Sequence, residues 1–279
     1  MSAVSPIDGE TINKIFGKNK VIIGVIHCLA LPGSPAYRGM TSNEIYDSAM
    51  KDAKSYIDGG VDGLLIENHG DIPFLKPDDI GHETSALMSV IGDRIKREFD
   101  MPMGVNILAN AAIPALAIAL ASGADFIRVN QWANAYVANE GIVEGAAAHA
   151  LRYRKALDGT DIAVLADVHV KHGSHAIVGD REIEDQARDV EFFGADILIA
   201  TGTRTGHATA ATEVRNIRAG AENPILVGSG FSAENAAELL AVADGAIVGS
   251  SVKGNGKMHG DKVVLDKIRA LMDAVNKYR

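Results

Sequence analysis

Acidic side chains stand in this 279-residue chain at the points where short apolar runs end. Glu67 ends the run 63–67, and Asp167 lies near the end of the run 163–169. A carboxyl group in apolar surroundings can serve as a general acid or base, because its environment moves its pKa toward neutrality. Glu67 and Asp167 are therefore the foremost catalytic candidates. A sugar bound between them could undergo glycosidic or N-ribosyl bond cleavage.

Further polar side chains accompany this pair. Successive side chains of a strand point to opposite faces, so His169 and Lys171 are predicted to lie on the same face as Asp167. We assign them a catalytic role beside it. Other side chains at the ends of the runs are predicted to bind substrate: His27, Asn68, Asn106, Arg128, Asn130, Thr201 and Arg204. A structural salt bridge between Glu67 and Arg128 is the alternative role for Glu67. Burying a charged side chain in an apolar interior costs free energy unless the charge is paired. This set of polar groups at the ends of apolar runs therefore indicates a functional site.

Two similar turns follow the last two apolar runs, Gly228-Ser229-Gly230 and Gly249-Ser250-Ser251. Glycines let the backbone approach a ligand, and successive N–H groups form a concavity that holds an anion. The serine hydroxyls add donors, and Lys253 stands near enough in sequence to assist. We predict that these six residues, called here the phosphate corner, bind phosphate. A carboxylate or sulfate ligand, or glycines that only make tight turns, are the alternatives.

A metal site is a weaker interpretation. His27, His69, His169 and Asp167 are residue types that bind Zn²⁺ or Mn²⁺, but they lack tight ligand spacing outside the loop that begins at His169. We therefore assign no metal ligand and predict no cofactor, with a divalent metal left open. Schiff-base chemistry needs a desolvated lysine, and Lys171 is the one candidate for it.

The elements that must position these groups alternate along the chain. Eight short β-branched runs are each followed by a helix-length segment, and their continuous apolar character is typical of parallel strands covered on both faces. The predicted strands are residues 21–27, 63–67, 103–108, 126–130, 163–169, 197–201, 225–228 and 246–249. This pattern predicts one (β/α)8 TIM barrel over residues 1–279, with a short helical extension at 6–17. The segment 171–181 is predicted to form a flexible lid or an ordinary exposed loop.

An internal repeat supports the barrel. Four related segments, each ending in aspartate, precede the second, fourth, sixth and eighth strands: Gly60-Val61-Asp62, Gly123-Ala124-Asp125, Gly194-Ala195-Asp196 and Val242-Ala243-Asp244. Their period of two strand–helix units is the one expected of a barrel that grew by duplication. They fall at the amino ends of the strands, so we predict that they contribute to stability rather than to chemistry.

Composition narrows the classes of function. The chain has 27 basic and 36 acidic side chains and a formal net charge of −9, so nucleic acid is not an expected partner. Cys28 is the single cysteine, which excludes a disulfide within the chain. The amino-terminal residues lack the pattern of a signal peptide, and no apolar run is long enough for a bilayer. These features predict a cytoplasmic protein and leave a homo-oligomer open.

In their order, the motifs resemble the BtpA/SgcQ family of TIM-barrel proteins. The most specific stretches are Leu31-Pro32-Gly33-Ser34-Pro35 and Ala166-Asp167-Val168-His169-Val170-Lys171-His172. The resemblance implies a TIM barrel over essentially the whole chain. It also implies either a role in photosystem I assembly or an enzyme of the nucleosidase or sugar-phosphate type. It supplies no catalytic residues.

Together, these observations predict an enzyme that acts on a small phosphorylated sugar or ribosyl compound. Cleavage of a glycosidic or N-ribosyl bond is the preferred reaction, because Glu67 and Asp167 would supply the acid and the nucleophile or base. A sugar-phosphate isomerase, epimerase or aldolase, with or without a metal, is the first alternative. A non-catalytic assembly factor is the second.

Overall fold

The computed structural model describes residues 10–202, 209–255 and 261–279. Within these ranges, eight parallel strands form a closed barrel: β1 (Val21–His27), β2 (Gly63–Glu67), β3 (Met103–Asn106), β4 (Phe126–Val129), β7 (Ala163–Asp167), β8 (Ile197–Ala200), β9 (Ile225–Val227) and β10 (Gly245–Val248). Their order around the barrel is β1-β10-β9-β8-β7-β4-β3-β2. The predicted TIM barrel is confirmed.

Helices surround the barrel and connect its strands. They are α1 (Thr11–Phe16), α2 (Ser42–Asp58), α3 (His82–Glu98), α4 (Ala112–Ser122), α5 (Ala147–Ala156), α6 (Ile183–Phe192), α7 (Ala211–Gly220), α8 (Ala236–Leu240) and α9 (Leu265–Val275). In the longer ones, an apolar face packs on the strands, as Ile45, Ala49 and Ala53 do in α2. Within the described ranges, no helix combines the length and apolarity that a bilayer crossing requires.

The amino-terminal extension closes the bottom of the barrel. Ile12 and Phe16 of α1 join the cluster of side chains inside the barrel, and the Phe16 ring lies 5.8 Å from that of Phe126. Glycine makes room for these rings, because a Cβ on Gly63 would lie 2.7 Å from Phe16 and one on Gly104 would lie 2.0 Å from Phe126. The barrel interior is therefore filled at this end by Ile12, Phe16 and Phe126.

Several strands end one or two residues before their predicted limits, because polar side chains replace the ladder bonds there. Beyond β3, the Asn68 side chain accepts a hydrogen bond from the N–H of Leu108 at 2.8 Å. Beyond β7, the hydroxyl of Thr201 accepts one from the N–H of Lys171 at 3.0 Å. At these two points the backbone of the barrel mouth is held by side chains.

One segment differs in kind from its prediction. The residues between β4 and the next barrel strand were expected to be helical, but β5 (Ala135–Ala138) and β6 (Gly141–Glu144) form an antiparallel hairpin before α5. Asn139 and Glu140 make its two-residue turn. A hairpin is indicated by two short runs with β-branched or aromatic residues on either side of a turn. The segment has this pattern, and the prediction of a helix there was wrong.

The repeated aspartates form four equivalent clamps at the amino ends of the barrel strands. The carboxylate of Asp62 accepts the N–H of Ile22 on β1 at 2.8 Å, and the N–H of Asp62 donates to the carbonyl of Ile22 at 2.8 Å. The same reciprocal pair of bonds joins three more couples: Asp125 with Met103 on β3, Asp196 with Val164 on β7, and Asp244 with Ile225 on β9. Each aspartate therefore fixes the start of one strand to the start of the next.

A basic side chain neutralises each of these aspartates. Asp62 pairs with Lys18 and Arg279, Asp125 with Lys96, Asp196 with Arg154, and Asp244 with Arg218. Burial differs, because the Asp196 side chain is fully buried whereas that of Asp125 is 39% exposed. The clamps lie at the closed end of the barrel, in agreement with a structural role.

Replacing Asp196 with alanine is expected to destabilise the fold more than the same change at Asp125. The Asp196→Ala change leaves the Arg154 cation and the Val164 N–H without their acceptor in the interior, which costs about 3 kcal/mol. At Asp125, water replaces part of the lost interaction, so the loss is about 1 kcal/mol. Urea unfolding of both variants measures the difference, and equal losses would contradict the role of burial.

Candidate active site at the barrel mouth

A cavity of about 250 Å³ opens at the carboxyl ends of the barrel strands. Among the residues predicted from sequence, those that line it are His27, Glu67, Arg128, Asn130, Lys171 and all six residues of the phosphate corner. These groups come from six of the eight barrel strands, β1, β2, β4, β7, β9 and β10. The fold therefore gathers most of the predicted polar ring, together with the corner, around one space.

Asp167 lies beneath this cavity and holds two of its lining residues. Its carboxylate accepts hydrogen bonds from Nε and Nη2 of Arg128 and from Nδ2 of Asn130, each at 3.1 Å. Asp167 is 1% exposed and is not among the residues that line the cavity. Its carboxylate therefore orients Arg128 and Asn130, and it is poorly placed to attack or deprotonate a ligand directly.

Glu67 faces the cavity with one oxygen 3.7 Å from Nε2 of His27. Burial raises the pKa of Glu67, and the positive charges of Arg128 and Lys171 only partly oppose this. A salt bridge with Arg128 was the alternative role predicted for Glu67. Arg128 instead makes a bidentate ion pair with Asp167. Glu67 is thus a buried carboxyl group that retains its proton more readily than an ordinary glutamate.

Lys171 follows β7 and reaches across the mouth of the barrel. Its Nζ donates to the carbonyl of Gly228 at 3.4 Å, within the phosphate corner. Burial, with the nearby charge of Arg128, lowers the pKa of Lys171 to about 8. A substantial fraction of this amine is therefore neutral near physiological pH and can accept a proton or attack a carbonyl.

His169 is separated from the other catalytic candidates. Its Nδ1 lies 3.1 Å from the amide oxygen of Gln186 on α6, and its ring stacks on His175 with centroids 3.6 Å apart. It does not line the cavity. Strand β7 ends at Asp167, so the alternation that gave His169 the parity of Asp167 does not extend to it.

The phosphate corner has the compact backbone that its glycines require. A Cβ on Gly228 would lie 2.4 Å from Ile199, and one on Gly249 would lie 2.9 Å from His27. Ser250 begins a short 3-10 turn, whose first N–H groups have no acceptor within the turn. The hydroxyl of Ser251 is buried without a hydrogen-bond partner. A ligand with several acceptor oxygens would satisfy these donors.

Four other residues predicted at the site have different surroundings. Asn68 and Thr201 hold the backbone beyond β3 and β7, and Asn106 donates to the carbonyl of Arg128 at 3.0 Å. These three are not among the residues that line the cavity. Lys253 is 1% exposed and likewise does not line the cavity. Arg204 lies outside the described residues.

Sequence reasoning missed the contribution of the hairpin to the site. Tyr136, Ala138, Asn139 and Glu140 all line the cavity. Two backbone hydrogen bonds between Val137 and Ser174, of 2.8 and 3.0 Å, attach the hairpin to the segment 171–181. This segment, predicted as a lid or loop, therefore forms one wall of the mouth together with the hairpin.

Of the residues considered as metal ligands, His27 and His69 lie together at the cavity with ring centroids 5.0 Å apart, but Asp167 and His169 do not join them. Asp167 is bonded to Arg128 and Asn130, and His169 faces α6. Within residues 10–202, 209–255 and 261–279, no three His, Cys, Asp or Glu side chains are grouped as a metal site. That the protein uses no metal remains a prediction.

Comparison with known proteins identifies the family. The model of the BtpA family matches residues 18–277. This chain belongs to the BtpA family. Among its relatives, an uncharacterised protein of Archaeoglobus fulgidus is 42% identical, covering 88% of this chain and 96% of its own. The Photosystem I biogenesis protein BtpA of a Synechocystis strain is 35% identical, covering 88% of this chain and 84% of its own.

A solved structure with the same fold is (S)-3-O-geranylgeranylglyceryl phosphate synthase from Thermoplasma acidophilum, in complex with its substrate sn-glycerol-1-phosphate. The TM-score is 0.57 at 16% identity, over 99% of both chains. At this identity the likeness concerns the barrel fold alone. The resemblance seen in the sequence is confirmed as membership of the BtpA family.

The lowered pKa of Lys171 predicts a pH dependence of stability. Between pH 8 and the ordinary value of 10.5, the unfolded chain binds a proton that the folded chain has lost, so the free energy of unfolding rises with pH. The Lys171→Met variant lacks this contribution, and it also removes one of the charges that oppose the raised pKa of Glu67, while groups remote from the cavity titrate as before. Urea unfolding at pH 7.5, 8.5 and 9.5 should therefore show the wild type gaining stability relative to Lys171→Met. A constant difference would mean that this amine is solvated as in the unfolded chain.

Proposed function

We propose that this BtpA-family protein is an enzyme that acts on a small phosphorylated sugar or ribosyl compound. The observation that carries the proposal is the composition of a single cavity. The phosphate corner, a carboxyl group with a raised pKa and an amine with a lowered pKa all line it. A phosphate bound at the corner would bring the rest of a small molecule beside Glu67 and Lys171.

Several features support phosphate as the bound group. The corner presents backbone turns from two consecutive barrel strands, where barrel enzymes frequently bind phosphate. The unpartnered Ser251 hydroxyl and the first N–H groups of the 3-10 turn can donate to phosphate oxygens. The Thermoplasma synthase, a barrel of the same fold, was solved with sn-glycerol-1-phosphate. This last support is an analogy at the level of fold.

The charges of the site favour one class of chemistry. The raised pKa of Glu67 and the lowered pKa of Lys171 move both groups toward the pH range in which side chains exchange protons with a substrate. Glu67 would donate a proton, Lys171 would accept one, and Arg128, oriented by Asp167, would stabilise negative charge on a substrate oxygen. Proton transfer at a carbon beside a carbonyl, as in isomerisation, epimerisation or aldol cleavage, uses these three groups together.

Cleavage of an N-ribosyl bond stays open, by a route different from the one the sequence suggested. Glu67 would still protonate the leaving group. Because both oxygens of Asp167 are bonded to Arg128 and Asn130, it would not serve as nucleophile or base. Lys171 would then have to activate water in its place.

A non-catalytic assembly role is the second candidate, favoured by the name of the Synechocystis relative. The Archaeoglobus fulgidus relative is more similar, at 42% identity against 35%, and it carries no assembly role in its name. The assembly role in the name of the Synechocystis protein therefore need not be the function that the family shares.

A thermal-shift screen tests phosphate binding, with inorganic phosphate, glycerol phosphate and ribose 5-phosphate as probes. A probe present at 100 times its dissociation constant is expected to stabilise the protein by about 2.7 kcal/mol. The Ser250→Asp variant should lose this response, because its new carboxylate repels phosphate within the corner. The Asn19→Asp variant adds the same charge at the closed end of the barrel and should respond as the wild type does. Absence of any shift in the wild type would favour the assembly role.

The Glu67→Gln variant is expected to lower kcat/KM by about 10²- to 10⁴-fold on a phosphorylated substrate that the wild type turns over. Glutamine keeps the shape of the side chain but can neither donate nor accept the catalytic proton. Phosphate binding, measured by the same thermal shift, should be unchanged. Glu98→Gln on the exposed surface of α3 is the matched control. Full activity of Glu67→Gln would remove Glu67 from the mechanism.

A further inference from the structure

The cavity has two sides of unlike chemistry, placed across the barrel from each other. In the order of the strands, β9 and β3 are four strands apart in either direction, so they lie diametrically opposite. The phosphate corner follows β9 and β10. On the opposite side, apolar side chains line the cavity from the segments after β2, β3 and β4. We call them the apolar wall: Ile72, Phe74, Leu108, Ala109, Tyr136 and Ala138.

Aromatic contacts hold two members of the apolar wall in place. The ring of Phe74 packs edge-on against His69 at 5.8 Å, and the ring of Tyr136 stacks on His175 at 5.2 Å. Other members are open to solvent, since Ile72 is 44% exposed and Leu108 is partly exposed. Phosphate binding and proton transfer make no use of this surface. An apolar surface across the same cavity from a phosphate-binding corner is a place for an apolar part of the ligand.

The turn of the hairpin adds polar groups to the edge of the apolar wall. Asn139 and Glu140 both line the cavity there, and Glu140 is half-buried. A bound alkyl chain would remove water from this amide and carboxylate and give them no hydrogen bond, which is unfavourable. A heteroaromatic ring would cover the apolar wall with its face and could bond to both residues through its edge.

We propose that the apolar wall is a subsite for a heteroaromatic ring carried by the phosphorylated substrate. The substrate class is then a sugar phosphate with a heterocycle at the end remote from the phosphate, as in a nucleoside 5′-monophosphate. The sugar lies between the two subsites, next to Glu67 and Lys171. This inference rests on the proposed function, because the phosphate corner must hold the other end of the ligand.

Isothermal titration calorimetry with five probes tests the subsite: inorganic phosphate, ribose 5-phosphate, adenosine 5′-monophosphate, uridine 5′-monophosphate and n-octyl phosphate. At least one nucleotide is expected to bind tenfold or more tightly than ribose 5-phosphate. Relative to inorganic phosphate, n-octyl phosphate should gain less affinity than that nucleotide does. If neither nucleotide exceeds ribose 5-phosphate, or octyl phosphate gains as much, the subsite is overturned while phosphate binding stands. If no probe binds, the proposed function fails as well.

Substitutions in the apolar wall distinguish the binding of the ring from the binding of the phosphate. Phe74→Ala should weaken the tighter nucleotide about tenfold and leave ribose 5-phosphate unchanged. The control Phe192→Ala removes a side chain of α6 that is 73% exposed, and it should alter the affinity for neither ligand. Glu140→Ala lies on the turn of the hairpin, where it does not disturb the core, and should weaken the same nucleotide alone. If Phe74→Ala and Glu140→Ala both bind that nucleotide as the wild type does, the ring does not bind at the apolar wall.

Discussion

The reciprocal bonds of four aspartates to the starts of four strands set the geometry on which the rest of this barrel depends. A parallel barrel closes only when each strand begins at the correct height relative to its neighbours. Asp62, Asp125, Asp196 and Asp244 each join the beginning of one strand to the residue that leads into the next. Because both the N–H and the carboxylate of the aspartate take part, a shift of one residue would break two bonds at once.

The clamps also explain how the opposite end can carry so many polar groups. Burying Asp167 and Arg128 inside the barrel is costly, even when they are paired. The filled lower barrel, with Phe16 and Phe126 in contact, and the fixed strand starts provide a frame that tolerates this cost. At the mouth, Asp167 orients Arg128 and Asn130 toward the cavity.

Local sequence patterns predicted those features that local chemistry determines. Continuous apolar runs indicated the strands, the repeated aspartates indicated the closed end, and paired Gly-Ser turns indicated one side of the cavity. Contacts between distant strands could not be read in this way. Arg128 lies opposite Leu165 in the pairing of β4 with β7, and this register brings its guanidinium to Asp167 rather than to Glu67. The prediction that His169 lies at the cavity was wrong, because the alternation of side chains ends with the strand at Asp167. The hairpin was predicted to be helical, because its short runs were interpreted as part of a helix-length segment.

The position of the hairpin has a consequence for how this family can diversify. β5 and β6 are inserted between β4 and α5, at the end of the barrel remote from the four clamps. They supply Tyr136, Ala138, Asn139 and Glu140 to the cavity but no bond to the clamps. Changes of length or composition in this insertion would therefore alter ligand preference with little effect on strand registration. Evolution can thus explore new ligands on one face of the barrel while the opposite face preserves the ability to fold.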